Sequence, residues 1–587
     1  MDEFLKIWRS PQSDFGLLIE HPDEELDETL TAASVYTDSE LAFLSGQGFN
    51  AIWVHARLHN LVRHALFPEF GKNSERHVAA LRTLAARSAK YGVRVFLYLE
   101  PPHSIPVSDT AFWKAHPDTG GQCIEWEGHD GRKYLARSLC TSLPHVRKYI
   151  GEAFAALTEL LPELGGYVII TASEYPAHCY SCRNCRPGIS PNRRNAVPLF
   201  PTDCPRCSLR EPAEVVSELI RTIRDGVRSI SKERKVIFWN WSWTMYVDSP
   251  CREILDALPS DVSLMADFER GGRRKDGTYI NEYSLSYPGP SEQFLETFET
   301  VRKRGIEVFA KLQIGTTHEL GAIRSLPLIG NLFLKADFIR KNGLGGFMGC
   351  WNFGNLESAN VRAFNYFLEL KENPSIGEAL VSFAEKYFPG CKAITLAEAW
   401  LLFGKAMEKY PFSIPFLYNS AVNLALSLLP PPGPLDGKKF GRAWLPDDRG
   451  FDLSGSITEE FPLEAVIAAF KSISETWERG LVLMRDALKD SRDKWALREL
   501  DNAEICGRVW RSTSLVYSLF ALKRAWRDSD RAEYRRLLER QKENMRSVLP
   551  YLDRDPRQGY HLEGRFHCFS GDLIRKRLSE STEMEKS

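Results

Sequence analysis

Glu174 closes the apolar run GYVIITASE (166–174), and five residues later a cysteine cluster opens. A carboxylate at the end of a buried strand suits proton transfer, because burial disfavours its charged form and raises its pKa toward the working range of a general acid. The cysteines read Cys179-x2-Cys182-x2-Cys185, then, after eighteen residues, Cys204-Pro-Arg-Cys207. Paired CxxC knuckles at this separation predict tetrahedral zinc held by four thiolates. The expected ligands are Cys179, Cys182, Cys204 and Cys207 with Cys185 spare, while Cys182 with Cys185 is the alternative first pair. An all-thiolate site has no open position, so the expected metal is structural Zn2+ and no catalytic cofactor is implied. A ferredoxin-type cluster would place its fourth cysteine three residues on, not eighteen. The metal is expected to pin a loop, and the carboxylate to react.

The elements that would position Glu174 are short β-prone runs alternating with helical patterns. The candidate strands are FGLLIEHP (15–22), NAIWVHARL (50–58), VRVFLYLEPP (93–102), GYVIITASE (166–174), KVIFWNWSW (235–243), VSLMADFERG (262–271), EVFAKLQIGT (307–316) and GGFMGCWNFG (345–354). Segments such as SERHVAALRTLAARSAKYG, with apolar residues three and four apart, lie between them. Eight strand–helix units predict an α/β fold, a (β/α)8 TIM barrel over residues 1–375. Long loops are expected after strand three (about 101–142), strand four (175–210, carrying the zinc) and strand six (271–290). All three lie on the face where such barrels place their active sites. Polar residues collect at the same strand ends: His55, Arg57, Glu100, Asn240, Asp267, Glu269, Lys311, Gln313, Trp351 and Asn352. From residue 376 the strands stop, and long amphipathic helices predict an all-α C-terminal domain over 376–587, with a disordered STEMEKS tail.

Composition excludes several classes. With 76 basic and 77 acidic residues the net charge is −1, which argues against a nucleic-acid partner. There is no apolar run long enough for a membrane span. The opening MDEFLKIWRSPQSDF has no apolar core of signal-peptide length, so a cytoplasmic, reducing setting is expected, where clustered thiols bind metal rather than pair. A homo-oligomer is compatible with the sequence.

At the mouth of such a barrel a carboxylate serves either metal-assisted hydrolysis or glycoside hydrolysis. The chain has 13 histidines but neither HxH nor HExxH, which disfavours a catalytic metal. Glycosidases need a general acid, a partner across the scissile bond, and aromatic faces for the sugar. Trp239, Trp241, Trp243, Trp351, Tyr283 and Tyr287 are the aromatic candidates, although alternate residues of one strand cannot all face the mouth. His55, Arg57, Glu100, Asn240, Tyr283, Gln313 and Trp351 are the expected substrate-binding set.

The TASE ending of strand four, the SLCTSLPHVRKYIGEA segment (138–153) and the GCWNFGN ending of strand eight resemble the β-N-acetylhexosaminidase-like glycoside hydrolases, family 20 in the broad sense and the related family 123 β-N-acetylgalactosaminidases. The resemblance implies an amino-sugar glycoside as substrate and a retaining, substrate-assisted mechanism. In those families strand four ends in an acidic pair: the glutamate protonates the leaving oxygen, and its neighbour orients the 2-acetamido group that attacks the anomeric carbon. Glu174 matches the acid, but Ser173 stands where the pattern has Asp or Asn. A serine hydroxyl accepts a hydrogen bond but supplies no charge, so Asp267 or Glu269 is expected to stabilise the intermediate. Two alternatives stay open: a double displacement with Glu269 as nucleophile, and a non-catalytic carbohydrate- or protein-binding barrel.

Overall fold

The computed structural model describes residues 3–10, 27–127, 133–171, 177–180, 202–241, 243, 250–351, 354, 357–443 and 449–586. Eight parallel strands close into a barrel in chain order: Leu5–Trp8, Ala51–His55, Arg94–Leu99, Gly166–Ile169, Lys235–Trp239, Ser263–Asp267, Glu307–Lys311 and Gly346–Met348. The ring closes where Ile7 pairs with Met348 on one side and with Ala51 on the other. Strands such as Ala51–His55 are buried along their whole length, as expected when helices cover the outside and packed side chains fill the inside. Strand eight opens on Gly346, where a Cβ would run into the Leu5 carbonyl.

Seven strands lie where the β-prone runs place them. Strand one does not: it is Leu5–Trp8, upstream of the expected 15–22, which falls outside the described residues. The long segment after strand three is not irregular. It carries a three-stranded antiparallel sheet, Ser104–Pro106, Gly120–Glu127 and Lys133–Leu139, with the last strand in the middle. A two-stranded ribbon, Gly272–Arg273 with Tyr279–Ile280, follows strand six.

Helices Pro144–Leu160 and Pro212–Arg228 each open with a proline in the first turn, where the missing N–H costs no intrahelical bond. They bury apolar faces such as Val146, Ile150, Phe154 and Leu157, and Val215, Leu219, Ile220 and Ile223.

The chain divides into two compact units. Met1–Phe268, Ser291–Leu312 and Leu344–Gly349 form the first, which holds all eight barrel strands; Glu269–Pro290, Gln313–Gly343 and Cys350–Ser587 form the second. The C-terminal region is helical, led by Leu463–Leu488, Lys494–Arg524 and Arg531–Arg554. Trp400, Trp477 and Trp510 are core residues there: Trp477 stacks on Phe403 at 4.2 Å and donates to the Ala503 carbonyl at 3.0 Å. The tail expected to be disordered is helical, the last helix running Gly571–Lys586. No helix among the described residues is long and apolar enough to cross a membrane.

Candidate active site and thiol cluster

Strand ends one to three gather buried ionisable groups. Arg9, directly after strand one, donates from Nη1 to Glu28 Oε1 at 2.9 Å and from Nη2 to Glu28 Oε2 at 3.0 Å. Its guanidinium lies 4.0 Å from the centre of the Trp53 ring. Glu28 also accepts the His55 backbone N–H at 3.2 Å, and burial raises its carboxyl pKa against the opposing pull of Arg9. His55 closes strand two with Nε2 3.7 Å from Glu100 Oε2, and Glu100 accepts the Tyr98 hydroxyl at 3.2 Å. Burial brings the Arg57 guanidinium down to about 10, opposed by Asp27 and Glu100. Asp27 is held by Asn60 Nδ2 at 2.8 Å and by the Thr29 hydroxyl at 2.6 Å.

Two histidines complete this set. Burial pushes His59 down to about 3, with Arg57 adding to the fall, and pushes His103 well below its ordinary value for the same two reasons. Both rings are therefore neutral near pH 7, and their centres are 5.7 Å apart. His103 follows Glu100 by three residues, is only 5% exposed, and has no hydrogen-bond partner on either ring nitrogen among the described residues. Its φ of 70° lies in the left-handed region that a residue with a Cβ adopts at a cost.

Strands five and six supply Asn240 and Asp267, both buried. The Asn240 N–H donates to the Met265 carbonyl at 3.0 Å. Asp267 Oδ1 accepts from Trp239 Nε1 at 2.9 Å, and Trp243 Nε1 donates to Thr171 Oγ1 at 3.0 Å. Both indoles are 1% exposed, so neither Trp239 nor Trp243 offers a face to a sugar. Ser173 and Glu174 lie outside the described residues; Thr171 and Ala177 are the nearest described positions on either side.

In the second unit, Glu269 is fully buried and paired through Oε1 with Lys335 Nζ. Lys335 also donates to the Ser284 carbonyl at 2.8 Å and the Gln313 carbonyl at 3.2 Å. The Gln313 N–H points at Glu269 Oε1 at 3.3 Å, and Gln313 Oε1 accepts the Trp351 N–H at 3.3 Å. Tyr283 is buried, its N–H donating to Glu282 Oε1 at 2.9 Å. Glu269 and Gln313 thus belong to one network with Lys335, which carries the counter-charge.

Four cysteines converge among the described residues. Cys140, Cys179, Cys204 and Cys207 are all buried, with their sulfurs within 4.8 Å of one another. Cys140 Sγ is 3.5 Å from Cys204 Sγ and 3.7 Å from Cys207 Sγ. Cys140 joins Cys179, Cys204 and Cys207 of the expected set, while Cys182, the fourth expected ligand, and Cys185 lie outside the described residues. The Ser142 hydroxyl reaches Cys207 Sγ at 3.3 Å, and the Ser138 hydroxyl reaches Cys179 Sγ at 3.5 Å. Hydrogen bonds from the other three thiols drive Cys204 far below its ordinary pKa, toward thiolate. No disulfide occurs among the described residues.

Arg9, Glu28, His103 and Cys140 have no place in the motif reading. Arg9 and Glu28 needed the true strand one, and His103 and Cys140 are single residues with no spacing partner in the sequence.

No protein-family model and no curated protein matches the chain. Among solved structures, a GH138 enzyme targeting pectin rhamnogalacturonan II superposes with a TM-score of 0.52 at 11% identity, over 99% of this chain and 68% of that one. The likeness is one of fold. The catalytic domain of a β-amylase from Paenibacillus polymyxa (TM-score 0.38, 12% identity, 66% of this chain and 98% of that one) superposes too loosely to bear on the argument. The same holds for an exo-β-1,4-mannosidase from Opitutaceae bacterium strain TAV5 (TM-score 0.35, 15% identity, 67% of this chain and 61% of that one).

Proposed function

We propose that the chain is a glycoside hydrolase, in particular a retaining β-N-acetylhexosaminidase or β-N-acetylgalactosaminidase acting on amino-sugar glycosides. The observation that carries the reading is the set of buried ionisable groups at the C-terminal strand ends, His55, Glu100, His103 and Asp267, with the half-buried Arg57 beside them. Burying such groups is costly, and a barrel that only had to fold would have little reason to gather them at one end. The GH138 superposition supports a barrel of the kind that carries carbohydrate chemistry, by analogy of fold.

In this reading Glu174 protonates the leaving oxygen as the acetamido carbonyl oxygen attacks the anomeric carbon. The glycosidic bond breaks and an oxazolinium forms. Ser173 accepts a hydrogen bond from the acetamido N–H. Glu174, now ionised, takes a proton from water, whose oxygen opens the oxazolinium and returns the acetamide. Asp267 is the better candidate to stabilise the developing positive charge. Trp239 Nε1 donates to Asp267 Oδ1 at 2.9 Å and holds that carboxylate at the end of strand six, whereas Glu269 is paired with Lys335.

A panel of nitrophenyl β-glycosides together with rhamnogalacturonan II fragments tests this. Hydrolysis confined to 2-acetamido sugars is expected. Glu174→Gln should slow substrates with poor leaving groups by about 10²–10⁴-fold, and activated aryl glycosides less. Binding without turnover, unchanged by Glu174→Gln, would instead establish a carbohydrate-binding barrel.

A further inference from the structure

We propose that Cys140, Cys179, Cys204 and Cys207 bind one zinc ion that clamps the sheet inserted after strand three to the segment following strand four. The geometry suits this ion. A tetrahedron with metal–sulfur bonds of about 2.3 Å has sulfur–sulfur edges of about 3.8 Å. The 3.5 Å and 3.7 Å separations from Cys140 are close to that edge, and too long for a disulfide, whose sulfurs would be about 2.05 Å apart. Four soft thiolates fill a tetrahedral shell, so the ion has no position for water and serves structure. On binding, the thiols release their protons to solvent and the complex carries a net charge of two minus. The hydroxyls of Ser138 and Ser142, within reach of Cys179 and Cys207, are placed to donate to that charge.

The ligands come from three separate stretches of chain, each fixed at its own end. Cys140 directly follows the inserted strand Lys133–Leu139, and its N–H donates to the Thr119 carbonyl at 3.0 Å. Cys204 and Cys207 form a tight turn, with the Ser208 N–H on the Cys204 carbonyl at 2.9 Å, just before helix Pro212–Arg228. Cys179 is tied to that turn through its neighbour, whose hydroxyl, Tyr180 Oη, donates to the Cys207 carbonyl at 2.7 Å. His178, the adjacent potential ligand, is turned to Thr141 Oγ1 at 2.9 Å instead. Gly121 in the inserted sheet lies against the cluster, where a Cβ would collide with Cys179 Sγ. The ion would tether the chain just beyond Glu174 at Cys179, while Thr171 is held on the other side by Trp243.

Metal analysis of the purified full chain, with X-ray absorption at the metal edge, tests the proposal without relying on activity. One zinc per chain with four sulfur neighbours is expected, together with the charge-transfer and d–d bands of tetrahedral cobalt–thiolate after exchange. Cys140→Ser should lose the ion, or bind it at least tenfold more weakly in competition with a chromophoric chelator. Cys182→Ser and Cys185→Ser should keep it. If Cys140→Ser does not fold, the Cys182→Ser and Cys185→Ser variants still decide: zinc lost from either overturns the ligand set. No stoichiometric metal, an iron-containing coloured protein, or a disulfide among these four cysteines would each overturn the zinc assignment. Independent of the glycosidase reading, the result stands whether or not any glycoside is cleaved.

Discussion

Asp267 Oδ1 accepts a 2.9 Å hydrogen bond from Trp239 Nε1, linking the ends of strands five and six with a neutral donor. The carboxylate is 4% exposed. Asp267→Asn keeps an oxygen for Trp239 and removes only the charge. We expect kcat lowered by about 10²–10³-fold, the usual worth of one electrostatic group in a transition state. A thiazoline analogue of the cyclised intermediate should bind the parent enzyme far more tightly than the variant. Equal rates for parent and variant would reduce Asp267 to an anchor for Trp239.

Glu269 offers the contrasting case. Its pairing with Lys335 is buried on both sides. Removing one partner strands the other's charge, so Lys335→Met is expected to cost about 3–5 kcal/mol in denaturant unfolding. The double variant Lys335→Met, Glu269→Leu should recover part of that loss, because no buried charge is left unpaired, although the Ser284 and Gln313 backbone groups lose their partners. A 2-fluoro glycoside should leave Glu269 unlabelled by mass spectrometry. A covalent adduct there would instead establish a double displacement.

The barrel was legible because each of seven strands is a β-prone run bounded by a helical pattern. Strand one was not, since Leu-Lys-Ile-Trp is four residues long and a more apolar run, FGLLIEHP, follows it. That one misplacement hid the Arg9–Glu28 pair, which is visible only once Arg9 is known to cap strand one. Cys140 was hidden for another reason: a lone cysteine has no spacing signal, and only the folded hairpin brings it to Cys204. Periodicity reads local structure well, but it does not see groups brought together by long-range chain reversal.

The buried histidines make stability depend on pH. His59 is held at about 3 in the folded chain against an unfolded value near 6.5, and His103 is also depressed; Arg57, His55, His77 and Asp27 are the charged and titratable groups acting on them. With the folded value below the unfolded one, the unfolded chain takes up protons first. For His59 the stabilisation is then complete above about pH 6.5 and is lost as pH falls toward 3, at about 1.4 kcal/mol per pH unit, and His103 acts in the same direction. Urea midpoints measured between pH 7.5 and 5 should fall accordingly, and His59→Gln should flatten the profile. An unchanged slope in that variant would mean that His59 is protonated in the fold.

His103 sets stability against binding most directly. Its ring nitrogens are buried with no hydrogen-bond partner among the described residues. Replacing an unsatisfied polar ring by an apolar one of similar shape removes a desolvation cost of about 1–3 kcal/mol. His103→Phe should therefore unfold at a higher temperature than the parent, although phenylalanine is slightly larger and the φ of 70° is unchanged. If the two nitrogens are kept to bind hydroxyls of the sugar, the same variant should raise KM about three- to tenfold, the worth of an ordinary hydrogen bond. His103→Asn, which tolerates the left-handed backbone and restores a donor and an acceptor, should recover part of that loss. Greater stability with weaker substrate binding is the signature of a residue kept for its ligand. A variant that loses stability while KM stays constant would show that the ring serves packing alone.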